Sequence, residues 1–282
     1  MLRGAIAAAL TPLREGAFDP DAVEPYVDFL AAGGLDGVLA MGTTGEGMLF
    51  GLDERREIAG AFVDACRDRL QVAVHAGMQS TADTVALAEY AAMAGATAVA
   101  VIPPPYFALD DDALFSHLDA AARACSPLPF YVYEFERTSG YAVSRDVLER
   151  LRESAPNLVG MKVSDTPYDA FARYLDVGLD VFVGPEAFIG RGLDAGAVGA
   201  VSALGSAFPE HVARAVHERS DELAELRTAI ERFPRHAALK HVVARRGVPI
   251  TGEVRAPLRA LTEDEAAALE DAVSPYTALT RR

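Results

Sequence analysis

The chain has 282 residues, 51% of them apolar and 24% charged, enough to build a sizeable core and too apolar for a disordered chain. It holds 41 acidic and 26 basic residues, a formal charge of −15. With no basic run to offset that charge, no nucleic-acid partner is expected. The length suits one large domain, alone or with a small appendage.

Two cysteines, Cys66 and Cys125, sit in unrelated contexts and form neither a disulfide framework nor a metal-ligand spacing. The apolar runs fall well short of the roughly 20 residues of a membrane span. The first ten residues lead straight into Thr11-Pro12 and read as a strand rather than a leader. A cytoplasmic protein without a membrane partner is expected.

In chain order, short apolar runs alternate with amphipathic stretches. Strands are predicted over 4–10, 37–41, 71–76, 96–102, 129–133, 158–164, 180–183 and 197–202. None shows a clean polar alternation, as expected for strands covered on both faces. Between them, a helix begins near Asp21 and is closed by Gly33 and Gly34. A second covers 53–70, with Ile58, Ala61, Phe62 and Ala65 on one face, and a third covers 81–94 with Gly95 as its C-cap. Further helices are predicted over 110–124 and from Ser144, a plausible N-cap, to 152. Eight strand–helix units in succession predict a (β/α)8 TIM barrel over residues 1–219. An open doubly wound sheet is the alternative, but no Gly-x-Gly-x-x-Gly turn follows the first strand. From 220 to 282 there is no strand pattern. Helices over 221–232 and 235–245, and a capping box from Thr262 to Glu265, predict a C-terminal helical extension.

Catalytic groups of such barrels gather at the C-terminal ends of the strands. Those ends carry Gly42-Thr43-Thr44-Gly45-Glu46-Gly47, Tyr133 with Glu134 and Glu136, Lys162, Gly184 with Glu186, and Ser202. Only two of the 26 basic residues are lysines, Lys162 and Lys240. Arginine stays protonated, whereas a buried lysine can lose its proton and act as a nucleophile. Lys162 shares a strand face with Gly160 and Ser164, opposite Met161 and Val163. If that face is the barrel interior, desolvation favours the neutral amine, which can attack a carbonyl. The alternative is an edge-strand lysine snorkelling to solvent. Tyr133 can move the protons of such chemistry, or be a half-buried aromatic satisfied by backbone. The 42–47 loop can hold a carboxylate or phosphate through its donors, or be a tight turn with threonine caps. It lacks the lysine of a phosphate loop. His75 reads as a core histidine, and Asp110 to Asp112 as a helix N-terminus rather than a metal site. Lys240 has no assigned chemistry.

Together these residues resemble the dihydrodipicolinate synthase / N-acetylneuraminate lyase family of class I aldolases. The resemblance runs through Thr11-Pro12, Gly42 to Glu46, Pro105-Tyr106, Tyr133, Ser139-Gly140, Gly160-Met161-Lys162, Gly184 and the stretch Gly252 to Leu258. It implies a (β/α)8 barrel with C-terminal helices, a homotetramer or dimer, and a small 2-oxo acid as the partner. Lys162 would form the Schiff base and Tyr133 would be the acid/base group. Thr43 and Thr44 would bind the substrate carboxylate, with Thr44 also in a proton relay. No metal or organic cofactor is implied, because the imine on Lys162 is itself the electron sink.

Departures bear on the substrate. The synthases carry an arginine five residues after the tyrosine. That position is Thr138 here, with Arg137 adjacent. Phe107 stands where a relay tyrosine is found, leaving Tyr106 as the nearest hydroxyl. Glu134 and Glu136 replace Asn and Pro, and acidic groups at the mouth would repel a second carboxylate. Glu186 matches one member of the acidic pair of neuraminate lyases, and Ala187 lacks the other. Gly184, Glu186, Ser202 and Thr138 are therefore candidate substrate contacts. The leading expectation is an aldolase acting on a hydroxylated 2-oxo acid. The alternatives are dihydrodipicolinate synthase, a sugar-acid dehydratase, or a non-catalytic 2-oxo-acid-binding relative.

Overall fold

A computed structural model describes residues 1–277. Eight parallel strands close into a barrel: β1 Gly4–Ala8, β2 Gly37–Ala40, β3 Gln71–His75, β4 Ala98–Val101, β5 Phe130–Glu134, β6 Leu158–Val163, β7 Asp180–Val183 and β8 Gly199–Ser202. Each strand pairs with its sequence neighbours, and β1 closes the ring by pairing with β8. A ring of this kind leaves no exposed sheet edge.

Alternation divides the core in two. Side chains pointing outward, among them Val38, Val74, Val99, Met161 and Val183, pack under the helices. Those pointing inward, Ile6, Ala8, Leu39, Ala73, Ala98, Ala100, Tyr131, Phe182 and Val201, fill the lumen. The interior alanines make room for the two large rings, Tyr131 and Phe182, which meet edge to face at 5.9 Å. The lumen is packed from below, and polar groups are left at the C-terminal end of the strands.

The helices stop where their sequences can no longer continue. Thr81–Ala94 starts at Ser80, whose hydroxyl accepts from Asp83 N, and ends at Gly95 in a left-handed conformation. Asp110 caps Asp111–Ala124, and Ser144 caps Arg145–Ser154. The second helix runs Leu52–Cys66, shorter than expected. Arg67 leaves the helical conformation and Asp68 turns left-handed, so the chain reaches β3 through a turn.

Three longer helices, Ala224–Glu231, Arg235–Arg245 and Glu263–Thr277, follow the barrel. The capping box at Thr262 is formed: its N–H donates to Glu265 Oε2 at 2.9 Å, and Glu265 N–H donates to Thr262 Oγ1 at 3.2 Å. The segment leading to that helix docks on a short hairpin, Leu13–Arg14 with Ala17–Phe18, that the sequence pattern did not reveal. The Glu253 carboxylate accepts from Glu15 N and Gly16 N, and Thr251 Oγ1 donates to Leu13 O. The final five positions of the expected helical extension lie outside the described residues. Among the described residues, no helix is long and apolar enough to cross a membrane.

Candidate active site

Tyr133 and Lys162 are direct partners in the register between β5 and β6, so adjacent strands bring them side by side in the lumen. Lys162 Nζ lies 3.7 Å from the centroid of the Tyr133 ring. Both side chains are buried, which excludes a snorkelling lysine. Burial pushes the Tyr133 phenol up, but the Lys162 ammonium and hydrogen bonds from Lys162, Thr43 and Ser164 outweigh it and leave the phenol below its ordinary value. A phenol held this way exchanges its proton readily with a neighbouring amine.

These groups open into a cleft of about 230 Å³, lined by Ala8, Thr43, Thr44, Tyr133, Lys162 and Ser164 at its base. It is also lined by Phe135, Arg137, Gly184, Glu186, Arg227 and Arg235. The Thr43 and Tyr133 hydroxyls are hydrogen-bonded at 3.1 Å. The hydroxyl contact expected of Thr44 therefore falls to Thr43, while Thr44 lines the cleft as a buried neighbour. Gly184 has a steric reason: a Cβ there would overlap Ser164 Oγ and the Val163 carbonyl.

The threonine loop is anchored from beneath. Glu46 sits in a left-handed conformation, and at Gly47 a Cβ would run into the Met41 carbonyl. The Glu46 carboxylate forms an ion pair with Lys240 at 2.6 Å, both side chains being fully buried, and accepts from Arg255 N. Lys240 Nζ also donates to the Glu253 carbonyl at 2.7 Å. His236 Nε2 contacts the Thr43 carbonyl at 3.0 Å. Lys240 thus fastens the loop to the C-terminal helices. No local pattern in the sequence announced it, because its partner lies in a distant loop.

Three expectations are corrected. Thr138 is exposed on the short helix Glu136–Ser139 and does not line the cleft; that helical turn presents Arg137 instead. Ser202 is buried behind the wall, donating to Glu186 Oε1 at 2.8 Å. Glu186 lines the cleft as expected, with its carboxylate held by Ser202, Leu204 N and Arg227. Burial would raise its pKa, and Arg227 with these donors outweighs burial and lowers it. Glu134 and Glu136 do not form an acidic mouth. Strand β5 runs on to Glu134 and buries it against Asp165, and burial followed by the Asp165 charge raises its pKa. Glu136 is paired with Arg173 at 3.0 Å.

His75 is neutral and structural. Its Nε2 accepts from Ile102 N, which places the proton on Nδ1 facing the Met41 carbonyl. Burial first, and then the nearby Arg55, hold its pKa well below the ordinary value. Tyr106 and Phe107 are exposed and form an edge-to-face pair away from the cleft of their own chain.

Comparison with known proteins agrees with this geometry. The model of the dihydrodipicolinate synthetase family matches residues 1–275. A DapA-like lyase of Halobacterium salinarum is 33% identical over 284 residues, 95% of this chain and 92% of the relative. A 4-hydroxy-tetrahydrodipicolinate synthase of Bartonella tribocorum is 29% identical over 290 residues, 97% of this chain and 98% of the relative. Among solved structures, the N-acetylneuraminate lyase of Proteus mirabilis superposes with a TM-score of 0.86 at 29% identity, covering 99% of both chains.

Proposed function

The chain belongs to the dihydrodipicolinate synthetase family, and from that premise we propose that it is a Schiff-base-forming lyase that cleaves or forms a hydroxylated 2-oxo acid, with pyruvate as one product or substrate. The observation that carries the reading is the Lys162–Tyr133–Thr43 constellation at the base of the cleft. In the cleavage direction, the Lys162 amine adds to the C2 carbonyl and water leaves, forming an imine. Tyr133 supplies and recovers the protons of that step. Loss of the C4 hydroxyl proton then breaks the C3–C4 bond and releases an aldehyde. The electron pair of that bond moves into the iminium, giving an enamine. Protonation at C3 and hydrolysis release pyruvate and restore the lysine. Thr43 and Thr44 hold the C1 carboxylate. The protonated imine is the electron sink, so the proposed step uses no metal or organic cofactor.

A second reading is a synthase that condenses pyruvate with an amino-aldehyde acid. Arg137 at the cleft favours it, as a cation for the second carboxylate. Phe107, without a proton to relay, weighs against it. A dehydratase would share the imine and release water without pyruvate. As part of the same reading we propose a homo-oligomer, tetramer or dimer, with the exposed Tyr106–Phe107 pair in support. A panel of hydroxylated 2-oxo acids, read by pyruvate release, tests the lyase reading. Faster condensation of pyruvate with aspartate semialdehyde than cleavage of any panel member would overturn it.

A further inference from the structure

Three guanidinium groups line the cleft, and they are in different states. Arg227 is spent: one arm donates to Glu186 Oε2 at 2.8 Å and the other to Glu231 Oε1 at 2.7 Å. Arg137 is exposed and lies over the Phe135 ring at 5.6 Å. Arg235 opens the helix Arg235–Arg245, with its side chain only 23% exposed. Its Nε is buried and has no hydrogen-bond partner among the described residues. Among the described residues its one ion pair is 3.9 Å long, to the Glu231 oxygen that Arg227 already holds. A half-buried guanidinium with a buried, unanswered Nε–H is costly unless a ligand answers it.

We propose that Arg235 binds a second carboxylate of the substrate, so that the preferred 2-oxo acids carry a terminal carboxylate besides C1. This rests on the imine reading above, in which C1 is held by the threonine loop at the base and the rest of the substrate extends outward. Counting the lining groups, Lys162, Arg137, Arg227 and Arg235 face only Glu186 and Glu231, so the wall has a cationic excess. The planar fork of an arginine matches a carboxylate bidentately.

The test compares acids of equal length that differ in the terminal group: 2-oxoglutarate against 2-oxopentanoate, and 2-oxoadipate against 2-oxohexanoate. Half-maximal concentrations for borohydride trapping on the full chain are measured for each. Thermal-shift titration with the same pairs reads the preference without requiring an imine. The expected result is a preference for the dicarboxylates of about 10- to 100-fold, the size of a charge-assisted hydrogen-bonded pair. In Arg235→Gln the ratio falls to about one, and in Arg235→Lys part of it returns. Because the ratio is internal to one protein, a general loss of binding cancels. Equal binding of both acids by the unaltered chain overturns the proposal. So does a preference that survives in Arg235→Gln. Inorganic phosphate that competes with 2-oxoglutarate more strongly than acetate does, and not with pyruvate, overturns the carboxylate assignment. Absence of any trapped adduct with pyruvate, together with an intact preference in the thermal shift, refutes the imine reading and leaves Arg235 supported.

Discussion

Replacing Lys240 by Met removes the one cation that, among the described residues, pairs with the buried Glu46 carboxylate. Both partners of that pair are fully buried, and the pair is 2.6 Å long. Methionine keeps most of the stem volume, so the lost quantity is the charge and its hydrogen bond to the Glu253 carbonyl. Removing one member of a buried pair strands the other in a medium that solvates it poorly, at a cost of about 3–5 kcal/mol. Urea unfolding followed by circular dichroism measures that cost from the shift in midpoint at constant slope. The Glu46→Gln, Lys240→Met double variant removes both charges and should recover part of the loss, a coupling that the cycle reports directly. The threonine loop hangs on this pair, so Lys240→Met should also raise the concentration of 2-oxo acid needed for half-maximal binding. A loss below about 1 kcal/mol, with additive single and double variants, would refute the anchoring argument.

Other outcomes follow from the same geometry. Tyr133→Phe keeps the ring over Lys162 and removes the proton carrier, so turnover should fall by about 10²- to 10⁴-fold while the fold is retained; steady-state kinetics with unfolding curves checks both. Glu134 has a folded pKa raised above its unfolded value, from 4.5 to about 8, by burial first and by the Asp165 charge. The folded state therefore binds more protons across that window, and its stability contribution is present below about pH 4.5 and lost as the pH rises toward 8. Glu134→Gln should flatten that slope in urea unfolding at pH 5, 6.5 and 8; an unchanged slope would locate the dependence elsewhere. Gly184→Ala places a methyl against Ser164 Oγ and the Val163 carbonyl, so substrate binding should weaken as the cleft wall shifts.

The barrel was legible because buried parallel strands are written as short Val, Ala and Ile runs, and all eight fall where those runs do. Alternation set Lys162 on the face opposite Met161 and Val163, but left open whether that face was the lumen or solvent; the closed ring of strands decides for the lumen. What was not legible depends on distant neighbours. Whether Arg137 or Thr138 faces the cleft is decided by one helical turn after Phe135. Glutamates near a strand end read as an acidic mouth, yet Glu134 belongs to β5 and faces Asp165 behind the wall. Arg235, His236 and Lys240 come from a helix far along the chain, and only tertiary packing shows that they reach the site.

The central claim is that Lys162 is the nucleophile. Borohydride reduction in the presence of pyruvate, followed by peptide mass spectrometry, tests it most directly. The account predicts one reduced pyruvyl adduct on Lys162, and none in Lys162→Arg, which keeps the charge and loses the amine. An adduct on Lys240, or an unlabelled protein at saturating pyruvate, would contradict it.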